Sequence, residues 1–456
     1  MNRKKLNRWI SIIGAAAIAM TGFSGCQSNK TEEKTETADS KEANENKEES
    51  ETKDTGSDEG FTPSLDTEAD GTLEIAGFMG NFEALDQVVN NFNEYYPNIT
   101  VSYEQNSAGQ LVDYLENNDY VDIFMTSESN LSYPDDTEAY VADYCLDLSK
   151  EDMDLSAIKD EMIECGTVDG KLLRVPLMQN TFGMVVNETL LENEGLDVPA
   201  NYEEFLEVLK ELKGKGYTPI QGSKIHVYSE FVANMALSQI GTDDELREKL
   251  NNGEGAAAEA LLPAYEKLGE IIENGYTDAT VNETYPQDNY DGAILKFFEG
   301  DVPFWICSTE SVSGMKKRES KSEAFTKNPF DYQFVYIPLG DKGGYEYMES
   351  WSGFSVNKDS DNKDYAVEFM RFLATEEQIN TIASVKGMPS VAKNSSDEKY
   401  AGIENDDLIE RSYIDKGEIK NSVKSSVANV GNQFGSGAYE NADEAVADLE
   451  KRISEQ

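Results

Sequence analysis

A single histidine, His226, stands against 88 aspartates and glutamates in a chain of 456 residues, and that imbalance closes off much catalytic chemistry. Metal motifs built on two histidines lack a second ligand, and a Ser-His-Asp relay has one candidate base and no Gly-x-Ser-x-Gly turn to present its serine. Ser313-Gly314-Met315-Lys316 followed by Ser360-Asp361-Asn362 mimics two of the three motifs of serine acyl enzymes. The third, Lys-Thr-Gly, is missing, and Ser360-Asp361-Asn362 reads equally well as the polar start of a helix carrying Tyr365, Phe369 and Phe372. Glycoside hydrolysis needs only two suitably spaced carboxylates, so composition alone leaves it open. Asp359 and Asp361 begin a calcium-like loop, but Lys363 stands where a third oxygen ligand belongs and the required glycine is absent. No metal and no cofactor are expected.

One cysteine has a different setting. Arg3, Lys4, Lys5 and Arg8 precede an apolar run from Trp9 to Met20, which ends in Phe23-Ser24-Gly25-Cys26. The run is too short to span a bilayer as a helix, and its basic, apolar and small-residue zones mark a secretory signal. It resembles a bacterial lipoprotein signal, which implies cleavage after residue 25 and a diacylglyceryl group on the Cys26 thiol, the thiolate being the nucleophile. Cys145, Cys165 and Cys307 form an odd, widely spaced set with no disulfide or zinc pattern, and read as small buried apolar residues.

Residues 26–70 are almost wholly polar, with Phe61 and Leu65 as their large apolar side chains, and read as a disordered acidic tether. The 386 residues from Gly71 to Gln456 exceed what one core usually organises, so two lobes are expected. The leader contributes four positive charges and the tether a net ten negative ones, leaving −43 of the total −49 on the folded part. Such a surface excludes nucleic acid and anionic lipid as binding partners.

Thr72 to Phe78 reads as a strand, Phe82, Leu85, Val88, Val89 and Phe92 as one helical stripe stopped by Pro97, and Ile99 to Tyr103 as the next strand. A helix through Leu111, Val112 and Leu115 leads to the short apolar strand Val121 to Met125. This β-α-β-α-β opening places a ligand beyond the carboxyl ends of the strands, at the loops holding Phe78 and Asn81, then Ser127 and Glu128. Leu172 to Pro176 and Phe182 to Val186 read as two strands around a polar break at Gln179 and Asn180, and Asn201 with Glu204 as a reciprocally capped helix start. Val302 to Cys307, with Trp305 as a core residue, and Gly353 to Val356 read as later strands.

Several blocks recur in a telling order: Thr72-Leu73-Glu74-Ile75 before a helix ending at Tyr96-Pro97, Tyr120-Val121-Asp122-Ile123-Phe124, and Gly170-Lys171-Leu172-Leu173-Arg174-Val175-Pro176. Val186-Asn187-Glu188 with Glu194-Gly195-Leu196, Gly300-Asp301-Val302-Pro303-Phe304-Trp305-Ile306, and Ser355-Val356-Asn357-Lys358 before Ala366-Val367-Glu368-Phe369 complete the series. In these blocks the chain resembles the extracellular solute-binding lipoproteins of ABC importers, in the family 1 branch of maltodextrin- and oligosaccharide-binding proteins. The resemblance implies an α/β, two-lobed periplasmic-binding-protein-like fold, each lobe a mainly parallel sheet flanked by helices, with a ligand cleft at the hinge. Residues 71–178 plus 353–388 would form one lobe and 179–352 plus 389–456 the other, crossing near Met178 to Thr181, Trp351 to Gly353 and Gly387 to Pro389. It implies a monomer that captures a small molecule without turning it over and delivers it to ABC permease subunits, held by Cys26 on the extracytoplasmic face of the cell membrane.

A neutral saccharide presents hydroxyl pairs and flat C–H patches, so its site needs planar polar forks and aromatic faces. By position in the matching blocks, Glu128, Asn180, Tyr228 and Glu310 fall where maltodextrin binders place sugar-contacting residues. Trp351, at a crossing between Ser350 and Ser352, joins them, and Phe78 and Asn81 follow from loop position. Glu310 stands where that branch usually stacks an aromatic; a carboxylate there accepts two hydroxyls or faces an ammonium group, which keeps amino sugars and polyamines open. Only Arg174 lies near the expected cleft, and an anionic solute would want a bidentate arginine. A neutral sugar or oligosaccharide is therefore expected. Presentation of the ligand to a sensor kinase and binding of a nitrogenous solute are the alternatives, with a carbohydrate-active enzyme behind them.

Overall fold

The computed structural model describes residues 60–80, 82–106, 111–118, 120–127, 131, 141–286, 290–395, 398–403 and 405–456. The leader, Cys26 and the tether to residue 59 lie outside the described residues.

The folded part opens with β1 (Gly71–Gly77), α1 (Glu83–Asn93), β2 (Ile99–Gln105), α2 (Leu111–Asn117) and β3 (Ile123–Thr126), the expected alternation. β1 pairs in parallel with both β2 and β3, while α1 buries Leu85, Val88 and Phe92 on one stripe. A small hairpin of β4 (Thr167–Val168) and β5 (Lys171–Leu172) precedes β6 (Val175–Asn187), β7 (Ile220–Gln221), β8 (Phe304–Ser308), β9 (Tyr332–Val335), β10 (Gly344–Val356) and β11 (Ile409–Asp415). One mixed sheet runs β2-β1-β3-β10-β6-β8-β7, with β11 on β10 and β9 on β6.

Two 13-residue strands hold this sheet together, and both are longer than the sequence pattern indicates. The polar break predicted inside β6 is no break. Gln179 and Asn180 are buried, and Gln179 Nε2 donates to the Ser390 carbonyl at 2.9 Å. Their side chains find partners inside the protein, so the ladder runs through them and pairs Asn180 with Glu349 and Thr181 with Met348. β10 begins nine residues before the expected Gly353; its first half pairs in parallel with β11 and its last four residues run antiparallel to β3. Register shifts between Glu349 and Ser352, and again between Ser352 and Gly353, lift Trp351 out of the ladder.

β6 and β10 link two large cores in a two-lobed α/β architecture. One core gathers β1, β3, α1 and the helices Lys363–Leu373 and Glu376–Lys386 around Phe92, Phe369 and Phe372. The other gathers the helices Tyr202–Gly214, Val227–Thr242, Leu262–Glu273 and Asn421–Gly435. A further cluster surrounds Trp305, which is 1% exposed and core as expected, with Phe297 stacked on it at 5.6 Å.

Of the segment expected to be disordered through residue 70, the described part, residues 60–70, is ordered. Phe61 packs edge-on against Tyr95 and Phe372 at 5.3 and 5.0 Å, and Ser64 donates to the buried Glu368 carboxylate through its N–H at 2.7 Å and its hydroxyl at 2.5 Å. The local composition is that of a disordered chain; Tyr95 and the partners Glu368 and Phe372, some 300 residues away in sequence, supply the burial it lacks.

Candidate functional site

Beyond the carboxyl end of β1 lies Phe78, and beyond that of β3 lies Ser127; both border a cavity of about 450 Å³. Phe182 of β6 and the β10 segment Tyr347 to Trp351 form further walls, and the first turns of the Asn421–Gly435 helix close it with Asn421, Lys424 and Ser425. Trp351 and Phe78 meet edge to face at 6.3 Å and 83°, so the half-buried indole offers apolar area at the cavity edge.

The polar wall is organised by Asp415. It is fully buried and accepts the Tyr347 hydroxyl at 2.7 Å, the Lys424 ammonium at 2.8 Å, and the N–H groups of Gly417 and Glu418 at 3.0 and 3.1 Å. Lys424 is thereby neutralised. Half-buried Glu349 has its carboxyl raised above the ordinary range by burial, an effect that nearby Lys424 partly offsets. Ser350 faces the same cavity with a buried hydroxyl that has no hydrogen-bond partner among the described residues. This wall can accept and donate to hydroxyls, and Lys424 in it is already matched by a carboxylate.

A second cavity, of about 290 Å³, also meets Trp351 and is bordered by Glu310, Ser313, Arg318 and Lys386. Arg318 is paired with Asp291, and Lys317 with Glu83 of α1. Burial and the neighbouring Glu230 raise the Glu310 carboxyl, with His226 acting against them. His226 Nδ1 lies 3.2 Å from Glu230 Oε1, one helical turn on, and this contact raises the imidazole's affinity for a proton.

The sequence-predicted residues divide sharply. Phe78, Trp351 and Glu310 line these cavities. Asn180 is 6% exposed and is bound to protein: its Oδ1 accepts from the Thr309 hydroxyl at 2.9 Å and the Glu310 N–H at 3.2 Å, and its Nδ2 reaches Glu349 at 3.5 Å. It positions Glu310 and Glu349 and borders neither cavity. Tyr228 lies in the core, 1% exposed, its hydroxyl accepting from Asn282 at 3.0 Å and its ring so close to Gly435 that an added Cβ would sit 2.0 Å from the ring carbon. Asn81, Glu128 and the lipidation candidate Cys26 fall outside the described residues. Arg174 is fully buried, donates to the Cys165 carbonyl at 2.8 Å, packs beneath Gly353 and borders neither cavity. Sequence reasoning missed Lys424 and Lys386, which sit on amphipathic helices where a lysine gives no signal of its own.

The acyl-enzyme pattern does not assemble. Ser360 and Asn362 bind Asp122 at 2.6 and 3.3 Å, and Lys316 is an exposed partner of Glu319 at 3.0 Å. Among the described residues no group of three His, Cys, Asp or Glu side chains is placed to hold a metal ion, and no helix is long and apolar enough to cross a membrane.

Two lobes, two long connecting strands and a polar-aromatic cavity at the point where those strands lose register define a receptor of the binding-protein class. Residues 77–379 match the family described as "Bacterial extracellular solute-binding protein", and the chain belongs to that family. It is similar to the "Multiple sugar-binding protein" of Streptococcus mutans, 19% identical over 268 residues, a match covering 58% of this chain and 61%, less than two thirds, of that relative. Among solved structures, ligand-free RafE of Streptococcus pneumoniae shares the fold with a TM-score of 0.67 at 17% identity, covering 86% of this chain and 99% of RafE. RafE in complex with raffinose gives 0.63 at 17% identity over 84% and 99%.

Proposed function

We propose that the protein captures a neutral sugar or oligosaccharide in the cavity beside Trp351 and hands it, unaltered, to the permease of an ABC transporter. In this reading it acts as a monomer tethered by lipidated Cys26 outside the cell membrane. The observation that carries it is the pairing of an aromatic edge, Trp351 with Phe78, and a hydroxyl-binding wall of the half-buried Glu349 carboxyl and the Ser350 hydroxyl, which has no hydrogen-bond partner among the described residues. Sugars present matching faces and edges. The names of the relatives, a multiple sugar-binding protein and a raffinose complex, support the same class. The cavity is bordered from both lobes, as closure requires, because a ligand shifts an open-closed balance only by its differential affinity for the two states.

The test is titration with raffinose, stachyose, maltotriose, xylotriose and their monosaccharides, read by indole fluorescence. Of the three tryptophans, Trp9 lies in the leader and Trp305 in the core, so Trp351 should report. A saturable signal without product formation supports the proposal. Signals only with amino acids or polyamines would sink the sugar assignment, and turnover of a sugar would sink the receptor.

A further inference from the structure

The smaller cavity holds two opposite charges that do not meet. Glu310 stands in the first turn of the Thr309–Val312 helix, beside the Trp305 cluster, and Lys386 ends the Glu376–Lys386 helix of the first core. Both are half-buried and both border the cavity. Among the described residues neither charged group has an ion pair within 4.0 Å or a hydrogen bond: the Lys386 ammonium lies 5.6 Å from the centre of the Phe82 ring, and Glu310 is anchored only through its backbone N–H. The other charges at this cavity are matched, Arg318 by Asp291 and Lys317 by Glu83.

We propose that this cavity is a second ligand subsite behind Trp351, in which Glu310 and Lys386 together grip a vicinal hydroxyl pair of one neutral sugar unit. One hydroxyl donates to Glu310 and its neighbour accepts from Lys386. The inference rests on the sugar-receptor reading of the larger cavity. Partly desolvated charges without partners are costly, and a diol compensates both at once, whereas a simple anion meets Glu310 and a simple cation meets Lys386. A space of about 290 Å³ sits at the lower limit of ligand pockets, enough for one ring. The wall shared through Trp351 places that ring next in line to a unit in the larger cavity. Because Lys386 and Glu310 belong to different cores, a unit held by both also favours closure. Burial raises the Glu310 carboxyl and lowers the Lys386 ammonium, as expected for charges awaiting a partner.

The test titrates the full chain, as wild type, Lys386→Met and Glu310→Gln, with raffinose, stachyose, maltotriose, xylotriose and their component monosaccharides. The expected result is a loss of about 10-fold or more in oligosaccharide affinity in each variant, the size of one charge-assisted hydrogen bond. The ligand-free unfolding midpoint should not fall, which separates a ligand contact from a structural one. Oligosaccharide binding that both variants leave unchanged would overturn the second subsite while the receptor reading stands. Wild-type protein that binds no saccharide would overturn both, and a zwitterionic amino acid that competes with the oligosaccharide and loses affinity in both variants would overturn the diol assignment.

Discussion

Replacing Glu368 by alanine should release the strap of residues 60–70 and destabilise the first lobe together. The carboxylate is 1% exposed and accepts the Ser64 N–H at 2.7 Å, the Ser64 hydroxyl at 2.5 Å, the Arg371 guanidinium at 2.6 Å and the Tyr96 hydroxyl. Burial alone would raise its pKa, but these bonds, Ser64 first, outweigh burial and hold it below the usual value. Removing one partner of a buried pair costs about 3–5 kcal/mol. Arg371 is 21% exposed and keeps a bond to the Asp152 carbonyl at 2.9 Å, so it can rehydrate, which places the loss near the lower bound. At about 2.1 cal/mol/K of unfolding entropy per residue, ~3 kcal/mol lowers the midpoint of a domain this size by about 4 °C. Hydrogen exchange at pH 7 should show residues 61–66 losing protection well before the strands. In the wild type, a depressed pKa means that this stabilisation is present above the unfolded-state value and is lost as pH falls through the folded one, so the strap should also loosen in acid. Unchanged exchange at residues 61–66, with a midpoint within about 1 °C of wild type, would refute the reasoning.

Trp351→Ala should weaken saccharide binding by about 2 kcal/mol or more, as loss of a buried aromatic anchor does; equal affinity by calorimetry would remove Trp351 from the site. Tyr228→Phe should leave affinity untouched and cost about 1 kcal/mol of stability, since Asn282 loses one acceptor but keeps Thr277 at 3.0 Å. A binding defect without a stability defect would return Tyr228 to the cleft. Gly353→Ala should unfold or strongly destabilise the protein, because the new Cβ would lie 2.4 Å from the Val175 carbonyl oxygen; a normal denaturation midpoint would contradict the β6–β10 contact. Glu230, Glu310 and Glu349 all have raised pKa values caused first by burial. Between the ordinary carboxylate value, about 4.3, and their raised values, the folded state binds more protons than the unfolded one, so their share of stability grows as pH falls. Glu349→Gln should therefore reduce the gain in midpoint as pH falls toward the ordinary carboxylate value, and an identical slope would argue against a desolvated Glu349.

Local rules sufficed for the first lobe's opening and for helix boundaries. The stripe of Leu85, Val88 and Phe92, the end of its helix at Asn93 ahead of Pro97, and the fully buried, mainly apolar β3 follow from periodicity and covered-sheet patterning. Asn201 caps its helix through the Glu204 N–H at 3.0 Å as predicted, though Glu204 returns the bond to Ala200 at 2.9 Å, one residue before Asn201. Polar residues inside β6 misled the reading for a physical reason: a polar side chain signals a break only when it must reach water, and Gln179 reaches the Ser390 carbonyl instead.

By itself, then, the amino-acid sequence determined the leader-cysteine pattern, the alternation of strands and helices, the exclusion of two-histidine metal chemistry, and the candidacy of Trp351, since each depends on residue type, spacing or period within a short window. Only the tertiary structure decided that Tyr228 and Arg174 are buried, that Asn180 is a cap, that residues 60–70 are a strap, and that Lys424 and Lys386 face the cavities. Those outcomes depend on pairings such as Ser64 with Glu368 or Asn180 with Thr309, which lie 304 and 129 residues apart, and burial of a polar group is set by the partner it meets across the fold, which no local pattern encodes.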